Sequence, residues 1–354
     1  MMHMADALLS PAVGGAVWVG SAGAIACCSA RLRRSADDRQ APLMGVLGAF
    51  LFAAQMINFS IPGTGSSGHL AGGLLLAILL GPQAAFLTVA SVLVVQALFF
   101  ADGGLLALGC NIFNLAFMPA FVVFPLVYRR LIGAAPGRTR EFSVTMAASV
   151  LAMQLGAFAV VVQTFASGIS SLPFSKFLLV MQPIHLAIGL VEGAVTVAVV
   201  SFVRKARPEL LRHASGVPAS SNSSRAFVLL IFLALALIGA GAHSWFSSER
   251  PDGLEWSIAR VTGHPELKEV EAGVHAALAS LQGKSSFFPD YAAGSVATAT
   301  DAGTSAAAAA GTPAAAGSSG LARTALPGLV GTLLTLLLVC LGGMLLRKGS
   351  RRAA

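Results

Sequence analysis

Charged residues are scarce in this chain, and their scarcity argues against a soluble enzyme or binding domain. Of its 354 residues only 11% are charged, while 56% are hydrophobic, and the mean hydropathy is +0.79. A soluble domain typically carries about 25% charged residues. Several apolar runs reach the roughly 20 residues that a helix needs to cross a bilayer. The sequence therefore predicts an all-α polytopic membrane protein.

Cysteine is equally scarce, and its placement excludes a disulfide framework or a cysteine metal module. The four cysteines, Cys27, Cys28, Cys110 and Cys340, all lie in apolar runs without metal-ligand spacing. No basic region precedes the first apolar run, so this run is interpreted as a retained helix and not as a signal peptide. The net charge of +8 comes from short clusters at the ends of apolar runs, which indicates membrane topology and not nucleic-acid binding.

Nine apolar segments are predicted to be membrane helices. They are 7–30, 42–58, 69–80, 82–101, 109–131, 142–168, 177–203, 225–246 and 325–346. The third segment is short, and Gly81-Pro82 separates it from the fourth. The stretch 69–101 is therefore either two spans or one bent, re-entrant pair, and broken helices at membrane depth line protein or a cavity.

The basic residues predict which side of the membrane each loop occupies. With the N-terminus outside, the inner segments hold 17 of the 23 Lys and Arg residues, whereas the opposite orientation leaves six inside. The 17 are Arg31, Arg33, Arg34, Arg39, Arg129, Arg130, Arg138, Arg140, Arg204, Lys205, Arg207, Arg212, Arg225, Arg347, Lys348, Arg351 and Arg352. The positive-inside rule favours an outer N-terminus and an inner C-terminus.

The composition divides the chain into two membrane units. Residues 1–205 form a seven-helix core, and the polar, serine-rich stretch 206–224 forms a cytoplasmic linker. Residues 225–346 form a two-helix unit around a long outer segment, and 347–354 form a basic cytoplasmic tail. Within the outer segment, a helix is expected from Pro265 to about Gln282, and the Ala/Gly/Ser-rich stretch 291–320 is expected to be a tether.

Two histidines are the candidate metal ligands. His3 lies near the chain start, and His69 follows the glycine-rich loop Gly63-Thr64-Gly65-Ser66-Ser67-Gly68. The predicted topology puts both on the outer side. The terminal amine, a deprotonated amide and two imidazoles supply four nitrogens, a flat donor set that suits Ni(II) or Cu(II). If Met1 is retained, the terminus alone supplies four nitrogens; if translation starts at Met2, His69 completes the set.

Two interpretations apply to the polar residues near these histidines. Ser66, Ser67, Asn58, Asn111 and Asn114 are candidates for hydrogen bonding to the metal-ligating histidines. Interhelical packing is the alternative for each of them.

A second polar pair lies on one helix. His185 and Glu192 are seven residues apart and share a face, so they are either a buried pair that holds helices together or a second metal site.

Two nucleotide-like patterns are rejected. Gly63 to Gly68 matches G-x-G-x-x-G, but apolar helices flank it where the dinucleotide fingerprint needs a strand before it and a βαβ unit around it. Gly283-Lys284-Ser285 resembles the end of a P-loop, but Leu278 stands where that loop needs a glycine. No nucleotide chemistry is assigned, so any ATP is expected to be hydrolysed by another subunit.

Four separate stretches resemble the CbiM/NikM family, the substrate-binding components of energy-coupling-factor transporters for cobalt and nickel. They are Met2 to Pro11, Asn58 to Gly73, Ala101 to Asn114, and His185 to Gly193, and the resemblance covers about 1–205. Ser248 to Ser257 resembles the PDGLE segment of the small NikN or CbiN subunit. The chain therefore resembles a fused M–N protein.

This resemblance implies a site, partners and a location. The positions matching the family's metal ligands are Met2, His3 and His69, with Met1 an extra residue before them. Asp252 and Glu255 are interpreted as structural residues of a turn that is followed by the start of a helix. The alternative is that they pass a cation toward the metal site. Implied partners are a transmembrane coupling subunit and two cytoplasmic ATPase subunits in a bacterial inner membrane, with Ni²⁺ or Co²⁺ as substrate, no resident cofactor and no nucleic acid.

Two rival functions belong to other classes. A proton-coupled secondary transporter would use His185 and Glu192 as its relay, and inverted repeats, which would support it, are not found in the sequence. An intramembrane metalloenzyme would need a motif such as H-E-x-x-H, which the sequence lacks.

Overall fold

A computed structural model describes most of the chain. The described residues are 3–34, 40–133, 136–206, 211, 223–265, 267, 272–291 and 318–351. Met2, nearly all of the predicted linker at 206–224 and most of the predicted tether at 291–320 lie outside them, as does the end of the basic tail.

Eleven helices and one hairpin make up the described regular structure, together with short 3₁₀ turns at Asp6–Leu8 and Pro289–Tyr291. In the core they are α1 (Pro11–Arg34), α2 (Gln40–Gln55), β1 (Phe59–Ile61), β2 (Ser66–Gly68), α3 (Gly73–Leu80), α4 (Pro82–Phe100), α5 (Leu108–Ile132), α6 (Arg138–Ser167) and α7 (Phe174–Ala206). The second unit contains α8 (Ser223–Phe246), α9 (Gly253–Thr262), α10 (Gly273–Ser285) and α11 (Ser318–Arg351).

The apolar runs form helices close to their predicted bounds. Among the described residues, six helices are long and apolar enough to cross a membrane, and Gln40–Gln55 and Leu229–Gly241 are shorter apolar helices. The mostly helical fold predicted from composition is confirmed.

The stretch 69–101 is a broken helix pair. Helix α3 has eight residues and so extends only about 12 Å, far less than the roughly 30 Å of a bilayer core. Gly81, at φ +80°, ends α3, and Pro82 opens α4. All of α3 is buried, so its broken backbone is enclosed by protein, as membrane depth requires.

The glycine-rich loop folds into a short β-hairpin. Strands β1 and β2 are antiparallel, with Ser60 opposite Ser67. Gly63 and Gly65 adopt φ of +76° and +78° in the turn, conformations that residues other than glycine rarely adopt. The hairpin delivers His69 directly after β2, and α3 begins only at Gly73.

The two units share one core. Helix α2 packs against both α8 and α11 of the second unit, while α6 packs against α7 within the first. Small residues allow this close approach: a Cβ on Gly331 of α11 would lie 2.1 Å from Cζ of Phe52. The second unit is therefore joined to the first by direct helix packing.

The PDGLE-like segment forms a capped helix, as its sequence predicts. Asp252 Oδ1 accepts hydrogen bonds from the backbone N–H groups of Leu254 and Glu255, both at 2.8 Å. Glu255 in turn accepts from the backbone N–H of Asp252 at 3.1 Å, which completes a capping box. The next helix, predicted over 265–282, is observed as α10, Gly273–Ser285.

Candidate metal centre

The segment before α1 is docked inside the protein and does not lie on its surface. Asn111 holds Met4 at both backbone groups: the Met4 N–H donates to Asn111 Oδ1 at 2.8 Å, and Asn111 Nδ2 donates to the Met4 carbonyl at 3.3 Å. Asp6 accepts the Ala107 N–H at 2.9 Å. Met4 is fully buried and His3 is 6% exposed. This docking fixes His3 in the interior although it lies at the start of the chain.

A carboxylate from the loop after α4 orients the His3 ring. His3 Nδ1 lies 2.7 Å from Asp102 Oδ1, and both side chains are buried. The phenol of Tyr291 donates to the other oxygen, Oδ2, at 2.5 Å. Because Asp102 occupies Nδ1, the ring directs Nε2 elsewhere, and this buried nitrogen has no hydrogen-bond partner among the described residues.

The second histidine comes from the end of the hairpin. His69 is 3% exposed, and its Nδ1 lies 3.0 Å from the carbonyl oxygen of Leu70. The two following backbone N–H groups, of Ala71 and Gly72, donate to the Glu192 carboxylate of α7 at 2.9 and 3.0 Å. The segment carrying His69 is therefore tied to a transmembrane helix.

The fold brings the two histidines together. The ring centroids of His3 and His69 are 5.7 Å apart, with an angle of 50° between the planes. The described residues contain no group of three or more His, Cys, Asp or Glu side chains arranged to hold a metal. Side chains of these types supply two imidazoles at this point, and further donors have to come from elsewhere, such as the backbone or the terminal amine.

The electrostatics of the centre favour a neutral His69 imidazole and an ionised Asp102 carboxylate. Burial lowers the pKa of His69 from 6.5 to about 3, so this ring remains deprotonated, the form that binds metals. Burial alone would raise the pKa of Asp102, but the adjoining His3 outweighs it and holds the pKa at about 2. An ionised Asp102 carboxylate accepts a hydrogen bond when His3 Nδ1 carries a proton.

A cavity adjoins His3 at the end of the bundle that carries the hairpin, here called the hairpin end. The cavity has a volume of about 670 Å³, and His3 and other residues of both units line it. Its carboxylates are Asp6, Asp102, Asp252, Glu255 and Asp290. A predominantly acidic lining raises the local concentration of cations.

Hydrogen bonds join the second unit to the hairpin that precedes His69. Ser67 donates from its backbone N–H to the Pro251 carbonyl at 2.8 Å and from its hydroxyl to the Arg250 carbonyl at 2.7 Å. The indole of Trp256 donates to the Thr64 carbonyl at 3.0 Å. The PDGLE-like turn therefore acts as a backbone partner for the hairpin.

The five polar residues proposed to support the histidines are all found at the hairpin end or beside the N-terminal segment. Asn111 holds Met4, next to His3, and Asn114 forms a reciprocal amide pair with Gln163 at 2.9 and 3.0 Å. Asn58, like Ser67, contacts the second unit: its backbone N–H donates to Ser247 Oγ at 3.2 Å. The Ser66 hydroxyl donates to the Ser67 carbonyl. Their contribution to metal binding stays a prediction.

His185 and Glu192 are both buried on α7, but each has its own partner. His185 Nδ1 lies 2.8 Å from the Met181 carbonyl, and Glu192 accepts the Ala71 and Gly72 amides. The pair predicted from spacing thus divides into a helix contact and an anchor for the His69 segment.

The sequence analysis did not identify Asp102 or Tyr291 as candidate site residues. Asp102 had a visible signal, since an aspartate in a glycine-rich loop at the end of an apolar helix is unusual. Tyr291 had none, because it lies 189 residues from the aspartate that it contacts.

The long apolar helices define the class of protein: an integral membrane protein, in which His3 and His69 are buried side by side. Comparison with known families agrees. Residues 3–210 match the family model CbiM, described as the cobalt uptake substrate-specific transmembrane region. Residues 226–348 match the PDGLE domain.

Two sequence relatives and one solved structure support this family assignment. Over 256 residues the chain is 29% identical to the fused nickel transport protein NikMN of Rhodobacter capsulatus, covering 68% of this chain and 74% of that protein. It is 31% identical to the cobalt transport protein CbiM of Sorangium cellulosum, covering 63% of this chain and all of the relative. A crystal structure described as a transition metal transporter is similar at a TM-score of 0.52 and 28% identity, over 58% of this chain and 94% of that one.

The chain belongs to the CbiM family and carries a PDGLE domain fused behind the CbiM region. It is a CbiM-type component of a cobalt/nickel transport system, and so a transporter subunit and not an enzyme.

Proposed function

We propose that this chain is the substrate-binding membrane component of an ATP-driven importer of Ni(II) or Co(II). The observation that carries the proposal is the pair His3 and His69, buried with ring centroids 5.7 Å apart, beside an acidic cavity that His3 lines. Two neutral imidazoles are borderline ligands that suit divalent nickel or cobalt.

The remaining ligands in this proposal come from the chain start. With translation starting at Met2, the α-amine of Met2 and the backbone amide of His3 would add two nitrogens to the imidazoles of His3 and His69. Such a four-nitrogen, planar set favours Ni(II) over Co(II) on geometric grounds. Because the amine and amide bind in their deprotonated forms, metal uptake is expected to release protons.

The proposed route runs from outside to inside. The hairpin end faces the outer side of a bacterial cytoplasmic membrane, since that orientation leaves most Lys and Arg residues inside. The acidic cavity concentrates the cation, and the histidine centre removes its water. A separate transmembrane coupling subunit and two cytoplasmic ATPase subunits drive release, because no nucleotide site is assigned to this chain.

The experiment is Ni(II) and Co(II) titration of the purified protein with a mass-verified native N-terminus, beside His3→Ala and His69→Ala. We expect both substitutions to abolish tight binding. The matched control is His264→Ala, which removes an exposed histidine on the loop after α9 and should leave affinity unchanged. Unchanged binding in His69→Ala would refute the joint site.

A transport assay in vesicles separates ATP-driven import from the proton-coupled alternative. Uptake that requires ATP and the coupling subunits supports the proposal. Uptake by this chain alone that follows a proton gradient would favour the alternative built on His185 and Glu192.

A further inference from the structure

Helix α10 of the second unit is fastened to the end of α4. Gln282 Nε2 donates to the carbonyls of Ala97 and Gly103, at 2.9 and 2.8 Å. The backbone N–H of Phe287, just after α10, donates to the Phe99 carbonyl at 3.1 Å. Because α4 is long and apolar enough to cross a membrane, these bonds place α10 at the end of a membrane-spanning helix.

The side of α10 that faces the protein makes its contacts largely through hydrogen bonds. His275 is buried, and its Nε2 lies 2.9 Å from the Leu9 carbonyl oxygen. Gln282 lies seven residues later on the same side, and Leu278, between them, packs partly against the core. A surface helix of a soluble protein instead turns its apolar side to the core and its polar side to water.

The exposed apolar side of α10 faces away from the protein. The spacing of Val274, Ala277 and Leu281 puts them on one face of the helix, where Val274 is 49% and Leu281 54% exposed. Beyond the helix, Phe287 is 70% exposed, and its ring stacks on the partly exposed Phe99 with centroids 6.0 Å apart and planes inclined by 11°. The apolar side is therefore continuous with the surface of α4.

A third side of α10 carries only small residues. Ala276, Ala279, Ser280 and Gly283 are exposed along it, and Ala279 lines the acidic cavity. A Cβ on Gly283 would have no atom within 4 Å. Helix α10 thus has a protein side, a cavity side and an apolar side, as a helix lying along a bilayer interface would have.

The charge of α10 suits a phospholipid surface. Lys284 lies three residues after Leu281, at the edge of the apolar side, and is exposed. The sequence from Gly273 to Ser285 contains no Asp or Glu. A lysine at this place can lay its alkyl stem along the apolar surface and bring its ammonium group to a phosphate.

We propose that α10 is an interfacial helix bound to the bilayer leaflet at the hairpin end. Val274, Ala277, Leu281 and Phe287 lie at the boundary between headgroups and acyl chains, and Lys284 contacts lipid phosphate. The inference goes beyond metal capture and does not depend on it. It gives the second unit a lipid contact outside its two membrane helices, which supports α10 at the rim of the cavity.

Photochemical cross-linking of the full chain identifies what covers this side of α10. A p-benzoylphenylalanine side chain is placed at Leu281, at Phe287 or at Gly283, in vesicles of phosphatidylethanolamine and phosphatidylglycerol, and the adducts are identified by mass spectrometry. We expect phospholipid adducts from Leu281 and Phe287. Gly283 is the matched control, because it is exposed but lies about 200° around the helix from Leu281, and its lipid adduct should be lost.

The alternative occupants give different adducts. Peptides from residues 292–317 would show that the chain's own outer segment covers α10, and cross-linked dimers would show a second copy. Either result would overturn the proposal, as would equal lipid adducts at Leu281 and Gly283 or the absence of lipid adducts at Leu281.

A second measurement avoids the cross-linking chemistry. Leu281→Trp and Gly283→Trp each add one indole to the wild-type emission. Brominated phospholipids should quench the added emission of Leu281→Trp and leave that of Gly283→Trp unchanged. An added emission in Leu281→Trp that acrylamide quenches from the water, and brominated lipid does not, would contradict the interfacial position.

Discussion

Glu192→Gln tests whether the metal site depends on an anchor inside the membrane. The Glu192 carboxylate accepts hydrogen bonds from two buried backbone N–H groups, those of Ala71 and Gly72, two and three residues after His69. Glutamine has nearly the same shape but one acceptor oxygen. Its amide nitrogen therefore faces an N–H group that loses its partner.

The expected magnitude follows from that lost contact. Leaving one buried donor unsatisfied costs about 1–3 kcal/mol. If all of that energy is carried by the orientation of His69, metal affinity falls by about 5- to 150-fold. We therefore expect at least a fivefold loss of Ni(II) affinity together with a lower unfolding temperature.

The assay measures Ni(II) affinity and thermal unfolding of both Glu192→Gln and a matched control in detergent. The control is Glu141→Gln, because Glu141 is also a buried carboxylate but pairs with Arg204 at 3.0 Å. It should lose stability and keep its metal affinity. Normal affinity in Glu192→Gln, combined with loss of transport, would refute the anchor and support a proton-relay role for this residue.

Four further predictions concern other parts of the account. Asp102→Asn removes the carboxylate that lies 2.7 Å from His3 Nδ1 and should lower the unfolding temperature, and an unchanged unfolding temperature would argue against a histidine–carboxylate pair. Gly104→Ala should destabilise the fold by about 1–3 kcal/mol, because its Cβ would lie 1.8 Å from Asp6 Oδ1; Gly20→Ala has no atom within 4 Å of its Cβ and should melt normally. Asp252→Ala removes the α9 cap and should cost about 0.5–2 kcal/mol in thermal unfolding, with Ser257→Ala in the same helix as a comparison. Extending the N-terminus by two residues should abolish tight Ni(II) binding without lowering the unfolding temperature, and retained binding would exclude the α-amine as a ligand.

The helices were predictable because each depends on a local property. Runs such as 142–168 and 177–203 are long and apolar, so the observed α6 and α7 begin and end within a few residues of the predicted bounds. The break at Gly81-Pro82 was also visible, since proline opens a helix readily and glycine permits a positive φ.

The histidine pair was predictable for a different reason. The positive-inside rule puts His3 and the glycine-rich loop on one side of the membrane, and the resemblance supplied their roles. Contacts that close over long distances in sequence were not predictable. Asp102 meets His3 across 99 residues and Tyr291 across 189, and neither approach leaves a periodicity or spacing in the sequence. Glu192 was found as an intramembrane acid, but its backbone partners were evident only from the fold.

The most direct test of the account is nickel K-edge X-ray absorption of the loaded protein with its native N-terminus, compared with His69→Ala. The account predicts a planar, all-nitrogen site whose scattering includes two imidazoles, with one imidazole lost in His69→Ala. Sulfur or carboxylate oxygen bound to nickel, or two imidazoles remaining in His69→Ala, would contradict it.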